Sequence, residues 1–141
     1  MADDSGDFAR SMGIATSGLR AQAGRMRVIS ENIANADSTS STAGGDPYRR
    51  KIPSFTSELN RTLDAKVVAL GRIRPDGSAF RVKHDPGNPA ADAAGNVKYP
   101  NVNPLVEMTD MREAQRSYEA NLNIISATRR MIQRTLDILK A

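Results

Sequence analysis

Residues 103–141 read NPLVEMTDMREAQRSYEANLNIISATRRMIQRTLDILKA, and this stretch decides the fold. Asn103 offers a side-chain oxygen as N-cap, and Pro104 follows at the first helical position, where its missing N–H costs nothing. No Gly or Pro comes after it. Met108, Met111, Tyr118, Leu122, Ile125, Ile132, Leu136 and Leu139 recur at three- and four-residue steps, which predicts one unbroken helix over 105–141 with a heptad seam. The polar residues Gln115 and Arg129 interrupt the seam, while Ile124, Met131 and Ile138 widen it on one flank. More than one partner then has room to pack. At about 1.5 Å per residue the helix is on the order of 50 Å long. A compact globule of this chain length has a diameter under about 40 Å. The helix therefore overhangs its own domain, and its stripe needs cover from another long helix or from neighbouring subunits.

A second seam precedes it. Phe8, Met12, Ala15, Leu19, Gln22, Met26, Ile29 and Ile33 step by four and three, so a helix is expected over 8–36 after an acidic, disordered leader of residues 1–7. Gly13, Gly18 and Gly24 lie inside it, each costing up to about 1 kcal/mol relative to Ala. They have two readings, tolerance in a weak helix or close approach of another backbone. Either way the helix needs packing to persist.

Between the helices, Ser38–Asp46 has the composition of a flexible loop, and 47–55 reads as extended chain, with Pro53 barring it from a sheet interior. Residues 66–74 and 79–84 flank Pro75-Asp76-Gly77-Ser78, which predicts a β-hairpin with Val68, Leu70 and Ile73 facing Phe80 and Val82 and a bulge at Gly71. Residues 85–104 carry four prolines and read as loop. The expected fold is mainly α: long terminal helices paired as an antiparallel coiled coil around a small irregular middle. Three segments follow, 1–36, 37–104 and 105–141.

The chemistry of catalysis is absent from the pattern. Cysteine is absent and His84 is the sole histidine, so thiolate sites and His pairs are excluded. No phosphate-binding or dinucleotide motif occurs, and no cofactor is expected. The first eight residues lack the basic and apolar regions of a cleavable signal, and no run reaches the roughly 20 apolar residues of a membrane span. The net charge of +4 is spread as zero over 1–36, +3 over 37–104 and +1 over 105–141, with few aromatics, which argues against nucleic-acid binding. Pattern alone leaves two non-enzymatic classes: a subunit packing through its terminal helices into a non-closing array, or a dimeric coiled-coil adaptor.

Four stretches carry a resemblance. Ser30–Asp37 (SENIANAD) resembles the Asn- and Ala-rich signature that closes the N-terminal helix in the axial rod and hook proteins of the bacterial flagellum. Asp46–Lys51 (DPYRRK) is similar to a run in proximal-rod members of that family. Asp85–Pro104 resembles the loop before their C-terminal helix, and Met108–Asn121 that helix itself, all in the family's order. The looser Ser38–Gly45 and the leader depart from the family's pattern.

The resemblance implies a structural rod subunit in the basal body, exported unfolded by the flagellar type III apparatus and polymerising into the drive shaft across the periplasm. Its implied partners are its own copies, other rod proteins, the export apparatus and motor-ring components, with no nucleic acid and no membrane insertion. Another rod or hook-junction subunit is the near alternative. The helix seams named above are the expected packing surfaces. Asn32, Asn35, Tyr48, Arg49, Arg50 and Lys51 are the expected subunit contacts, the three basic residues meeting acidic groups of a neighbour.

Overall fold

Two long helices, of 33 and 37 residues, carry about half of the chain. The computed structural model describes residues 2–140, with side chains described from Gly6 onward. Helix α1 spans Ala2–Ala34 and helix α2 spans Pro104–Lys140. Asn103 caps α2 as expected, its Oδ1 accepting the Leu105 N–H at 3.1 Å. Helix α1 begins earlier than expected: the leader read as disordered is helical from Ala2, Met1 lying outside the described residues. Asp7 pairs with Arg10 at 3.4 Å, and Arg10 Nε donates to the Leu63 carbonyl at 3.0 Å, which pins this end.

Between the helices run six short strands in three antiparallel pairs: β1 (Lys51–Ile52), β2 (Phe55–Asn60), β3 (Ala65–Leu70), β4 (Arg74–Pro75), β5 (Arg81–His84) and β6 (Asn96–Tyr99). The expected hairpin between 66–74 and 79–84 does not form. Its turn does, with Asp76 Oδ1 accepting the Ser78 N–H at 2.9 Å, but the arms pair elsewhere. β3 pairs with β2, from Phe55↔Leu70 to Asn60↔Ala65. β4 pairs with β1, and β5 with β6 from Arg81↔Tyr99 to His84↔Asn96. Two other turns decide this. Asn60 Oδ1 accepts the N–H groups of Thr62 and Leu63, and Asp64 takes φ 47°, closing β2 onto β3. Gly95 takes φ 77° and its carbonyl accepts the Asp85 N–H at 2.9 Å, closing β5 onto β6. Gly71 is no bulge; its N–H extends the β2–β3 pairing to the Ser54 carbonyl at 2.7 Å.

The chain forms two compact units. The first contains residues 1–26, 54–72 and 113–141, that is, the outer parts of both helices and the β2–β3 hairpin. The hairpin lies on α1 with Leu63 against Gly13 and Leu70 against Gly24, and Ser17 Oγ accepts the Val68 N–H at 3.3 Å. A Cβ at Gly24 would come 2.7 Å from Leu70 Cδ2, and one at Gly18 would come 2.8 Å from the Asn121 amide. Close approach is the reading of these glycines that the packing supports. The buried centre of this unit is small: Ala15, Gly18, Ala21, Gly24, Ala114 and Thr128.

The second unit contains residues 27–53 and 73–112. Its core is fuller, with Val28, Ile29, Ala36, Ala90, Val97, Pro100 and Val102 buried. The Ser/Thr/Gly loop belongs here and is tied down: Gly44 N–H donates to the Ala90 carbonyl at 3.0 Å, and Asp46 pairs with Lys98 at 2.8 Å. Val97 on β6 is fully buried. Val97→Ala removes two methyl groups from a site without space to collapse, so it lowers unfolding stability by about 2 kcal/mol in urea titration of the purified chain.

Candidate functional site

The second unit is built around a buried carboxylate. Glu107 lies in the first turn of α2, one residue before the seam position Met108, and its side chain is 1% exposed. A buried carboxylate must be hydrogen-bonded and paired to stay charged. Arg50 Nε donates to Oε1 at 2.5 Å and Asn32 Nδ2 donates to Oε2 at 3.0 Å. Asn32, also 1% exposed, extends the network. Its Nδ2 donates to the Lys51 carbonyl at 2.8 Å, and its Oδ1 accepts the Tyr48 hydroxyl at 2.8 Å and the Lys51 N–H at 2.9 Å. The end of α1, the 48–51 segment and the start of α2 are thereby fixed to one another within this unit.

Arg50 is held on every side. Besides Glu107 it reaches Asp76 at 3.5 Å and Asp110 at 3.7 Å, while its N–H donates to Asn101 Oδ1 at 2.8 Å. Partial burial opposes its charge, but Glu107 and then Asp76 outweigh that and raise its pKa. Burial first, then the charges of Glu31 and Glu107, push the Tyr48 phenol up to about 12. Arg49 stacks on the Phe80 ring at 4.1 Å and donates to the carbonyls of Asp76 and Ser78 at 2.9 and 3.0 Å. Lys51 pairs with Glu31.

The residues expected at subunit contacts all have partners within the chain. Asn32 and Arg50 are committed inside the chain, and Asn35 Nδ2 donates to the Glu31 carbonyl at 2.8 Å within its own helix. Arg50 meets Asp76, Glu107 and Asp110 of its own chain. The physical reason is desolvation, since a buried Glu107 demands the nearest cation. Sequence reading missed Glu107, Asp76 and Asn101; the seam as read takes Met108 at this turn, so no local pattern marks Glu107.

The seam residues divide. Ile29 is buried, and Phe8, Met12, Leu19, Met26, Ile33, Met111, Tyr118, Ile125 and Ile132 are half-buried. Met108, Leu122, Leu136 and Leu139 are exposed, as are Ile124, Met131 and Ile138 on the flank. Among the described residues no acidic, Cys or His cluster is arranged to hold a metal ion, and no helix is long and apolar enough to cross a membrane. The polar cluster is a clamp of hydrogen bonds and ion pairs.

The family described as "Flagella basal body rod protein" matches residues 12–40, and "Flagellar basal body rod FlgEFG protein C-terminal" matches residues 93–138. The chain is 54% identical to the flagellar basal-body rod protein FlgC of Agrobacterium fabrum, over 91% of this chain and 92% of that protein. It is 39% identical to FlgC of Bacillus subtilis, over 92% and 97%, and 36% identical to FlgC of Salmonella typhimurium, over 89% and 92%. The chain belongs to the family of the flagellar basal-body rod protein FlgC.

Removing one partner of the clamp deprives buried or half-buried polar groups of a hydrogen bond or ion pair. Glu107→Ala lowers the urea midpoint by the equivalent of about 3 kcal/mol, and Tyr48→Phe by about 1 kcal/mol. Alkali acts through Tyr48. Its pKa is raised in the folded chain, so from about pH 10 to about 12 the unfolded state has lost a proton that the folded state keeps, and stability falls as pH rises. Urea midpoints measured between pH 9 and pH 12 fall more steeply for the parent than for Tyr48→Phe.

Proposed function

We propose that this chain is a non-catalytic subunit of the proximal rod, polymerising with its own copies and other rod proteins into the shaft that transmits torque. The observation that carries this reading is the bare stripe on α2: Leu122, Leu136 and Leu139, fourteen and three residues apart and so on one face, are exposed on a helix of a rod-family chain. Exposed large apolar groups in such a row need cover, and neighbouring subunits supply it.

In this reading α1 and α2 run antiparallel along the wall of the tube. Contacts inside the first unit support it. Arg25 pairs with Glu113 at 3.6 Å, Gly18 sits against Asn121, and Ile14 and Ala15 share a groove with Asn121 and Ile124. As the number falls along α1 it rises along α2. Residues 1–36 and 105–141 then form the axial layer, and residues 37–104 meet neighbouring subunits. Tyr48, Arg49 and Lys51, which are half-buried, keep surface for such contacts.

Export fits the same energetics. The first unit buries mostly Ala and Gly, so little apolar area holds it together in the isolated chain. Helices of that kind pass unfolded through the type III export apparatus and gain stability on assembly, by mass action of the neighbours. The rod so built joins the motor-ring components at its base.

Mass spectrometry of purified hook–basal bodies is expected to find the chain at a fixed ratio to the motor-ring proteins; its absence from clean particles removes the reading. Leu122→Asp places a charge in the stripe, and motility and rod assembly are expected to be lost in a strain carrying it. Circular dichroism of the purified monomer at micromolar concentration is expected to show less helix than α1 and α2 together would supply. Full, cooperative helicity there contradicts folding on assembly.

A further inference from the structure

A groove of about 400 Å³ opens in the second unit beside β4. Tyr48, Ile73 and Pro75 give it apolar walls, and Arg49, Lys51 and Arg74 bring positive charge against the single carboxylate of Glu31. Ile73 is 46% exposed, and Arg74 is exposed without an ion pair or side-chain hydrogen bond among the described residues. An aromatic and apolar slot rimmed by cations fits a short segment that carries carboxylates around proline.

The same unit presents such a segment. Asp85-Pro86-Gly87-Asn88-Pro89-Ala90-Ala91-Asp92 runs between β5 and β6, with Pro86, Gly87, Pro89 and Asp92 exposed. It holds two carboxylates and no basic residue, and neither Asp85 nor Asp92 makes an ion pair among the described residues. Asp37 and Asp46, earlier in the same unit, are instead taken by Arg81 and Lys98. Backbone bonds hold the segment in one shape. The N–H groups of Asp85, Ala91 and Asp92 donate to the carbonyls of Gly95, Asn88 and Asn96, each at 2.9 Å, and Gly44 N–H reaches the Ala90 carbonyl at 3.0 Å. A loop so fixed loses little conformational freedom on docking. None of its residues lines the groove of its own chain.

We propose that the groove beside β4 takes the Asp85–Asp92 loop of a second copy of this chain, with Pro86 and Pro89 against Tyr48 and Ile73 and the two aspartates facing Arg74 and Lys51. The proposal rests on the rod-subunit reading and names one contact through which residues 37–104 meet a neighbour. Groove and loop are different patches, so the contact is heterologous: each copy offers its loop to one neighbour and its groove to another, and the series continues rather than ending in a pair. It weakens with salt, because the charges sit at an exposed rim.

The chain has no cysteine, so an engineered pair reports the contact cleanly. Ile73→Cys goes in the groove and Gly87→Cys in the loop, where an added Cβ meets only Asp85 Oδ1, at 3.8 Å. Hook–basal bodies from a strain carrying both are oxidised and resolved on denaturing gels. Disulfide-linked dimers and larger multimers of this chain are expected, with no linkage from either single variant. Arg74→Glu added to the pair lowers the linked fraction of the incorporated chain several-fold, as does Asp85→Lys, and the two charge changes together restore it. Incorporation at the parental level without linkage overturns the docking and leaves the rod reading standing. A photo-reactive label on the sulfur of Ile73→Cys that joins a different rod protein instead overturns the second-copy occupant. Where the cysteine pair itself blocks incorporation, the cysteine-free chain decides: Arg74→Glu and Asp85→Lys each lower incorporation several-fold and together restore it, while no effect, or defects left unrestored, overturns the docking. Absence of the unaltered chain from the particles overturns both readings.

Discussion

A carboxylate buried at the start of α2 governs the second unit. Glu107 is shielded from water, and without partners an ion there would cost several kcal/mol. Arg50 and Asn32 meet that demand, and each is itself fixed by further partners: Asp76, Asp110 and Asn101 for Arg50, Tyr48 and Lys51 for Asn32. The Asn-rich end of α1 and the Pro-Tyr-Arg-Arg-Lys run are thus two halves of one polar device. Apolar packing tolerates a small slide between elements, whereas a network with every donor and acceptor assigned permits one register. A subunit that must present the same surfaces in every copy gains from that uniqueness.

The first unit is built on the opposite principle. Its contacts are close, with Gly13, Gly18 and Gly24 seating Leu63, Asn121 and Leu70, but close approach of small residues buries little area. Its larger apolar side chains, Ile14, Phe55, Leu59, Ile124 and Met131 among them, stand in solvent. In an isolated protein this is a defect. Under the proposed rod assembly, that apolar area is what neighbouring subunits would cover.

The two seams show how far periodicity carries. Both helices, the cap at Asn103 and the need for outside cover were legible, because a heptad pattern reports which face is apolar. Depth within that face was not legible. Ala15, Gly18, Ala21 and Ala114 are deeper than Leu19, Leu122 or Leu136, since small residues sit where backbones approach and large ones fan outward at the margins. The strand pairing was misread for a related reason. The Pro75–Ser78 turn forms as its residues dictate, yet a turn constrains only its own four residues, and β3 found β2 through the Asn60 and Asp64 turn instead.

The sequence by itself determined the two helices, their apolar stripes, the Pro75–Ser78 turn and the family, because each of these is written in residue types at short spacing. The tertiary structure alone decided which strands pair, which residues form the clamp and which of the basic triplet point inward. Those choices depend on desolvation: Arg50 turns to Glu107 because a carboxylate 57 residues away becomes buried beside it, and no local pattern records where distant chain will exclude water.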